Sequence, residues 1–355
     1  MKYLTLLLIL CLPATAADYF HPVKPGRVFS FPADHNLHPN FQTEWWYVTA
    51  NLRGEDGLSY GAQFTLFSNT LMIAKQPQRI FFAHAALSTP KQFYHAERYA
   101  RADMGHGGIQ AKPWRLFLDH WQFNGTGEEP LPGQLTVSEG KFAYDLSLSD
   151  SRYFLVGEQG FSKKNADGSL ASYYYNAPFI KINGTVHFAD KAVKVQGQGW
   201  LDREWSSGLF AAKSGVKNIT KNITKNIVDK VGWDWLSLHL DDNTALMLYR
   251  VRSTKQSEKD RSETYLTGII ITASGQQTSL SAAQINWQPT RFKTFADKQY
   301  PIGWQLKIPS QQVDIAISPI NDDQYLHGFT PYWEGAIKTT GSHKAQGYLE
   351  VFNPD

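Results

Sequence analysis

The segment Trp200-Leu-Asp-Arg-Glu-Trp205 sets two carboxylates among two indoles. In an extended strand, alternation puts Trp200, Asp202 and Glu204 on one face and Leu201, Arg203 and Trp205 on the other. Paired carboxyls beside an indole suit acid–base chemistry, because apolar neighbours raise one pKa enough to keep that group protonated at neutral pH. Ordinary salt bridges between Arg203 and the acids at a sheet rim account for the same residues equally well. Acid and tryptophan also meet at Glu44-Trp45-Trp46 and at Tyr332-Trp333-Glu334. Alternation places Glu44 and Trp46 on one face of an opening strand. Closure of a barrel is expected to bring that face against the one bearing Asp202. The candidate catalytic acids are therefore Asp202, Glu204 and Glu44, with Trp200, Trp46, His84 and Tyr174 in reach. A barrel lined in this way suits a long apolar ligand with a few polar fixing points.

Other chemistries find little support. The chain has no G-x-S-x-G, no H-E-x-x-H and no phosphate-cradling glycine loop. Asp34, His35 and His38 make a conceivable metal corner, but spacing assigns no further ligand, so neither metal nor cofactor is expected. Thirty-five basic residues against 32 acidic leave a net charge of +3, too even a balance for a nucleic-acid partner. The single cysteine is Cys11, inside a segment that reads as a leader. Met1-Lys2 gives a positive start, Leu4 to Leu12 is almost wholly apolar, and Ala14-Thr15-Ala16 fits a cleavage site. Residues 1–16 are therefore expected to be a signal peptide, and the mature protein periplasmic or secreted and free of thiols.

The elements that must position these residues are strands. Aromatic residues make up 14% of the chain, and short aromatic and β-branched runs alternate with Gly, Pro, Asn and Asp. Residues 44–67 read as a hairpin, and 233–251 repeat its grammar around Trp233 and Trp235. Further strands are expected at 80–88, 135–148, 179–188, 192–203, 264–273, 303–308, 313–318, 332–339 and 345–352. Many short strands with turn signals imply antiparallel barrels or sandwiches. Gln198-Gly-Trp-Leu-Asp202 and Gln346-Gly-Tyr-Leu-Glu350 share one pattern, each late in its half, which points to an internal duplication. The halves are expected at 17–205 and 232–355, joined by 206–231. That joint holds a Lys/Ile repeat at 217–227 whose apolar residues fall near one helical face. It is expected to be a linker helix, with contact to a membrane surface through 216–231 as the alternative.

Taken in order, Phe31-Pro-Ala-Asp-His-Asn-Leu-His-Pro39, Thr43-Glu-Trp-Trp-Tyr47, Phe82-Ala-His-Ala-Ala-Leu87, Gly199-Trp-Leu-Asp-Arg-Glu-Trp205, Gly232-Trp-Asp-Trp235 and Tyr332-Trp-Glu-Gly-Ala336 make the chain resemble a known family. It is similar to the carotenoid 1,2-hydratase and AttH-like attachment proteins. The resemblance implies an all-β chain of two consecutive lipocalin-like (calycin-type) antiparallel β-barrel domains. Members include hydratases of isoprenoid double bonds; secreted ones are described as hydrolases or as associated with ABC transport. The family's aromatic-x-Asp segment matches Trp200-Leu-Asp202, which makes Asp202 the candidate acid. Its Tyr-Tyr-Ser-like segment matches Ser172-Tyr-Tyr-Tyr-Asn176, with Asn176 where Ser is usual and Phe179 where Arg is common. The ligand set expected from motifs and alternation together is Trp200, Trp46, His84, Tyr174, Trp233, Trp235, Tyr332, Trp333 and Glu334. The function expected is binding of an apolar isoprenoid or lipid-like molecule, with acid-catalysed hydration of a double bond. Two alternatives stand beside it: a lipid-binding accessory of an envelope ABC transporter, with the permease as partner, or a secreted hydrolase.

Overall fold

A computed structural model describes residues 19–74, 76–207, 231–253 and 264–354. The expected leader and the 217–227 repeat lie outside the described residues. Among the described residues, thirteen strands build the first sheet. They are β1 (Thr43–Gly54), β2 (Ser59–Ile73), β3 (Gln76–Ser88), β4 (Phe93–Arg101), β5 (Gly107–Ala111), β6 (Trp114–Leu118), β7 (Trp121–Thr126), β8 (Glu129–Glu139), β9 (Phe142–Leu148), β10 (Phe154–Leu155), β11 (Phe161–Lys163), β12 (Ala171–Phe188) and β13 (Lys191–Ser206). Ten more form the second. These are β14 (Val231–His239), β15 (Ala245–Ser253), β16 (Tyr265–Ile271), β17 (Gln277–Ser281), β18 (Asn286–Phe295), β19 (Lys298–Ile308), β20 (Val313–Pro319), β21 (Tyr325–Leu326), β22 (Tyr332–Gly341) and β23 (Gln346–Phe352). All pairings between these strands are antiparallel. The first sheet curls into a nearly closed barrel and the second into a half-barrel.

The duplication is visible in the topology. In each sheet the first strand pairs with both the second and the last, β1 with β2 and β13, β14 with β15 and β23. Tyr47 stands opposite Asp202 in one half, and Trp235 opposite Glu350 in the other. The two copies of the Gln-Gly-aromatic-Leu-acid pattern thus occupy equivalent strands. Gly347 serves the pairing directly, since a Cβ there would lie 1.8 Å from the Ser237 carbonyl oxygen.

Strand alternation gives each sheet two apolar faces. The inward face of the first sheet carries Trp46, Val48, Phe64, Trp114, Trp121 and Leu201, and that of the second carries Leu236, Trp287, Trp304 and Trp333. Side chains therefore fill both interiors. The opposite faces of β1, β12, β13, β14, β15, β16, β22 and β23 bury Tyr47, Tyr174, Trp200, Trp235, Met247, Tyr249, Ile269, Ala336 and Tyr348 against one another. This seam joins the two halves. Asn51 Nδ2 crosses it to the Gly347 carbonyl at 2.8 Å, and β2 approaches so closely that a Cβ on Gly61 would meet Ala336 Cβ at 2.5 Å. Gly61→Val is expected to cost about 1–3 kcal/mol by forcing the sheets apart. Urea melts check this; an unchanged midpoint would mean the two sheets do not meet there.

Register overturns one expectation. The face bearing Glu44 and Trp46 does not meet the face bearing Asp202. Glu44 stands opposite Trp205 and Trp46 opposite Arg203, so alternation groups Glu44 with the arginine, inside the barrel. There Glu44 takes Arg203 Nη2 at 2.5 Å and Arg79 Nη1 at 3.1 Å. Burial opposes its ionisation, but Arg203, His38 and Arg79 outweigh burial and hold its pKa below the usual value. The metal corner is spent in the same way. Asp34 pairs with Arg27, His35 bonds the Tyr175 hydroxyl at 2.6 Å, and His38 stacks on Trp205. Residues 135–148 form the β8–β9 hairpin rather than one strand, turning at Gly140.

Candidate active site between the two sheets

The seam gathers acids from both halves. β13 presents Trp200, Asp202 and Glu204 to it, as their alternation requires, while Arg203 points into the barrel. Asp202 accepts the Trp200 indole N–H at 2.8 Å and is hydrogen-bonded by Tyr174. Trp235 reaches across from the second sheet to hydrogen-bond the Tyr174 hydroxyl. Burial pushes the pKa of Asp202 up to about 8, against the opposing pull of Trp200 and Tyr174, with the Glu204 charge adding to the rise. Asp202 is therefore a neutral acid at pH 7, able to donate a proton. Glu204 holds Lys164 Nζ at 2.7 Å, and that ammonium lies 4.3 Å from the centre of the Tyr249 ring.

The second half supplies a matching pair. Glu334 accepts the Tyr47 hydroxyl and also meets Tyr332; burial first, then the neighbouring Glu350, drive its pKa well above the usual range. Glu350 accepts the Trp233 indole at 2.7 Å, and burial raises its pKa as well. Tyr47 packs edge-on against Trp235, 5.2 Å between ring centres, and separates the two acid centres.

A cleft of about 290 Å³ opens between the halves, lined by Val156, Phe161, Met247, Tyr249 and Ile269 with Lys163 and Thr267 among others. Tyr249 belongs to its wall and bonds Ser162 at 3.0 Å. The Lys164–Glu204 pair thus lies against a residue of the cleft. Among the described residues, no group of three or more His, Cys, Asp or Glu is arranged to hold a metal ion.

Of the residues singled out from sequence, Asp202, Glu204, Trp200, Tyr174, Trp233, Trp235, Tyr332, Glu334 and His84 face the seam. Glu44, Trp46 and Trp333 do not. Trp333 is the inward neighbour of Glu334 and donates its indole N–H to the Asp322 carbonyl at 3.0 Å. Four residues of the site escaped sequence reading: Tyr47, Lys164, Tyr249 and Glu350. Glu350 carried a usable signal, because the duplicated pattern makes it the counterpart of Asp202.

The AttH-like family model matches residues 22–353. The chain belongs to the AttH-like family. A solved structure of a candidate AttH from Nitrosomonas europaea is 30% identical, with a TM-score of 0.76 over 94% of this chain and 99% of that one. The kievitone hydratase from Nectria haematococca has a TM-score of 0.62 over 94% of this chain and 98% of its own. At 15% identity it shares the two-sheet fold with this AttH-like chain. No curated protein matched.

Proposed function

We propose that this AttH-like protein adds water across a carbon–carbon double bond of an apolar, isoprenoid or lipid-like molecule held between its two halves. The observation that carries this reading is Asp202, a neutral carboxylic acid fixed by Trp200 and Tyr174 in an aromatic seam beside an ion-paired carboxylate. The family and a hydratase of the same fold support it.

In the proposed reaction the alkene π electrons take the Asp202 proton, forming a C–H bond and a tertiary carbocation and leaving Asp202 as carboxylate. The π faces of Trp200 and Trp235 stabilise that cation. Water, oriented by Glu204, adds to the cation and returns its surplus proton to Asp202. The sum is alkene plus water to tertiary alcohol. Val156, Phe161, Met247 and Ile269 in the mixed wall of the cleft suit the apolar part of such a substrate, with Glu158, Lys163, Thr267 and Ser279 as polar fixing points.

The same proposal places the protein in the cell envelope, on the leader-like residues 1–16. N-terminal sequencing of the protein recovered from cells should then begin near Ala17, and an uncleaved cytosolic chain would overturn that location. The test of the activity is incubation with an isoprenoid-containing lipid extract, followed by mass spectrometry for products heavier by one water. Wild type should convert, and Asp202→Asn should be slower by roughly 10²–10⁴-fold. Lipid retained but unchanged by both proteins would overturn the hydratase and favour a carrier, such as an accessory to an envelope transporter.

A further inference from the structure

The acid centre of the second half is unused by that mechanism, yet it is connected outward. His84, on the seam face of β3, holds the Tyr332 hydroxyl at 2.8 Å through Nδ1. Its Nε2 lies 3.7 Å from a carboxylate oxygen of Glu97, whose side chain is 28% exposed against 4% for His84. Tyr332 in turn interacts with the Glu334 carboxyl, whose Oε2 is buried with no hydrogen-bond partner among the described residues. Phe67 and Phe82 wall the imidazole at 5.5 and 5.8 Å between ring centres. Leu326, Phe352, Phe93 and Trp233 pack around Tyr332. The polar atoms thus form a file through aromatic surroundings, from the surface groove of His95, Glu97 and His327 to the seam.

We propose that Glu97, His84 and Tyr332 form a proton relay that connects the buried carboxyl of Glu334 with solvent. This inference stands apart from the hydratase reading.

The relay runs with Glu334 protonated and His84 neutral, its proton on Nε2. Burial keeps the imidazole neutral, lowering the His84 pKa to about 4, with the neighbouring His95 acting the same way. A neutral imidazole with its proton on Nε2 points it at Glu97 and offers Nδ1 as acceptor to the Tyr332 hydroxyl. The Tyr332 oxygen is then free to accept the Glu334 proton. One concerted shift moves a proton along each step. Glu334 gives its proton to Tyr332, Tyr332 gives its own to Nδ1, and Nε2 gives its own to Glu97. Glu334 ends as carboxylate, Glu97 as acid, and His84 as the other neutral tautomer. The 3.7 Å step at Glu97 is one that a water or a small side-chain rotation closes.

Other titratable groups face both ends of the file. Glu97 accepts the Phe329 N–H at 3.2 Å and is hydrogen-bonded by Tyr99, which fixes its position at the outer end. His95 and His327 stand beside it, their ring centres 5.8 Å apart. At the inner end, Tyr47 donates to Glu334, and the nearby Glu350 disfavours loss of the proton.

The test is infrared spectroscopy of the full chain, reading the carbonyl stretch of buried protonated carboxyls after transfer from H₂O to D₂O. The Glu334 band is the one lost in Glu334→Gln, and the Asp202 band the one lost in Asp202→Asn. In wild type the Glu334 band should shift promptly. In His84→Phe and Tyr332→Phe, and in Glu97→Gln at the surface end, which spares the buried packing, it should shift severalfold more slowly. The Asp202 band should keep its wild-type rate in all three. Absence of a Glu334 band overturns the proposal. So does an unchanged exchange rate in the variants, or equal slowing of both bands, which would mean that protons enter when the halves separate.

Discussion

Asp202→Asn should make the protein more stable at neutral and alkaline pH while removing its proposed activity. Unfolded, Asp202 ionises near 3.8, whereas burial raises the folded value to about 8. Between those values the native state holds a proton that the unfolded chain has released, so stability falls as pH rises through that window. The loss approaches 1.4 kcal/mol per pH unit, or roughly 4 kcal/mol by pH 7. Asparagine keeps an oxygen for the Trp200 indole, stays polar toward Tyr174, and has nothing to ionise. Urea melts of both chains should differ by a constant amount below the unfolded value of 3.8 and diverge as pH rises above it, the variant gaining. A constant difference across the window would show that Asp202 is already ionised in the fold, and the general-acid role would fall with it.

Arg203→Ala should be the most damaging single change on the inward face. It leaves Glu44, which is fully buried, without its 2.5 Å partner. It also empties the space over Trp46, where the guanidinium sits 3.8 Å from the ring centre. Breaking one side of a buried pair costs about 3–5 kcal/mol. Lys307→Ala, which breaks a solvent-exposed pair with Asp314, serves as the control and should cost less than about 1 kcal/mol. Glu44 also sets the acid limit. Its folded pKa lies below the unfolded one, so the stability it contributes is present above the unfolded value and disappears as pH falls through the folded one. Equal midpoints for Arg203→Ala and wild type would show that the pair contributes nothing.

The sequence disclosed faces better than neighbours. Alternation alone separates Asp202 and Glu204 from Arg203, and the repeated Gln-Gly-aromatic-Leu-acid pattern points to equivalent strands before any coordinates. Which faces meet depends on register, and register is a long-range property. Glu44 and Asp202 are 158 positions apart in sequence, and only the pairing of Glu44 with Trp205 shows that they lie on opposite sides of one sheet. Lys164 and Tyr249 were silent for a similar reason. Lys164 follows the three-residue strand β11, too short to leave a periodic signal, and it meets Glu204 only because β12 folds back beside β13. The barrel interior was expected to hold ligand, but large inward residues such as Trp114 and Trp121 fill it. Their size is legible in the chain, whereas their convergence on one interior is not.

β13 carries a cation on one side and a protonated acid on the other, Arg203 toward the barrel and Asp202 toward the seam. A slip of one residue against β1 would reverse both. The guanidinium would then lie among the tyrosines and indoles between the halves, far from Glu44. Asp202 would enter the barrel beside Glu44, two acids in place of a pair. Sliding therefore penalises both environments together, and neither side can relax without the other. The strand is keyed like a two-sided tooth, so the residues that place the acid in the seam also forbid every neighbouring alignment that would misplace it.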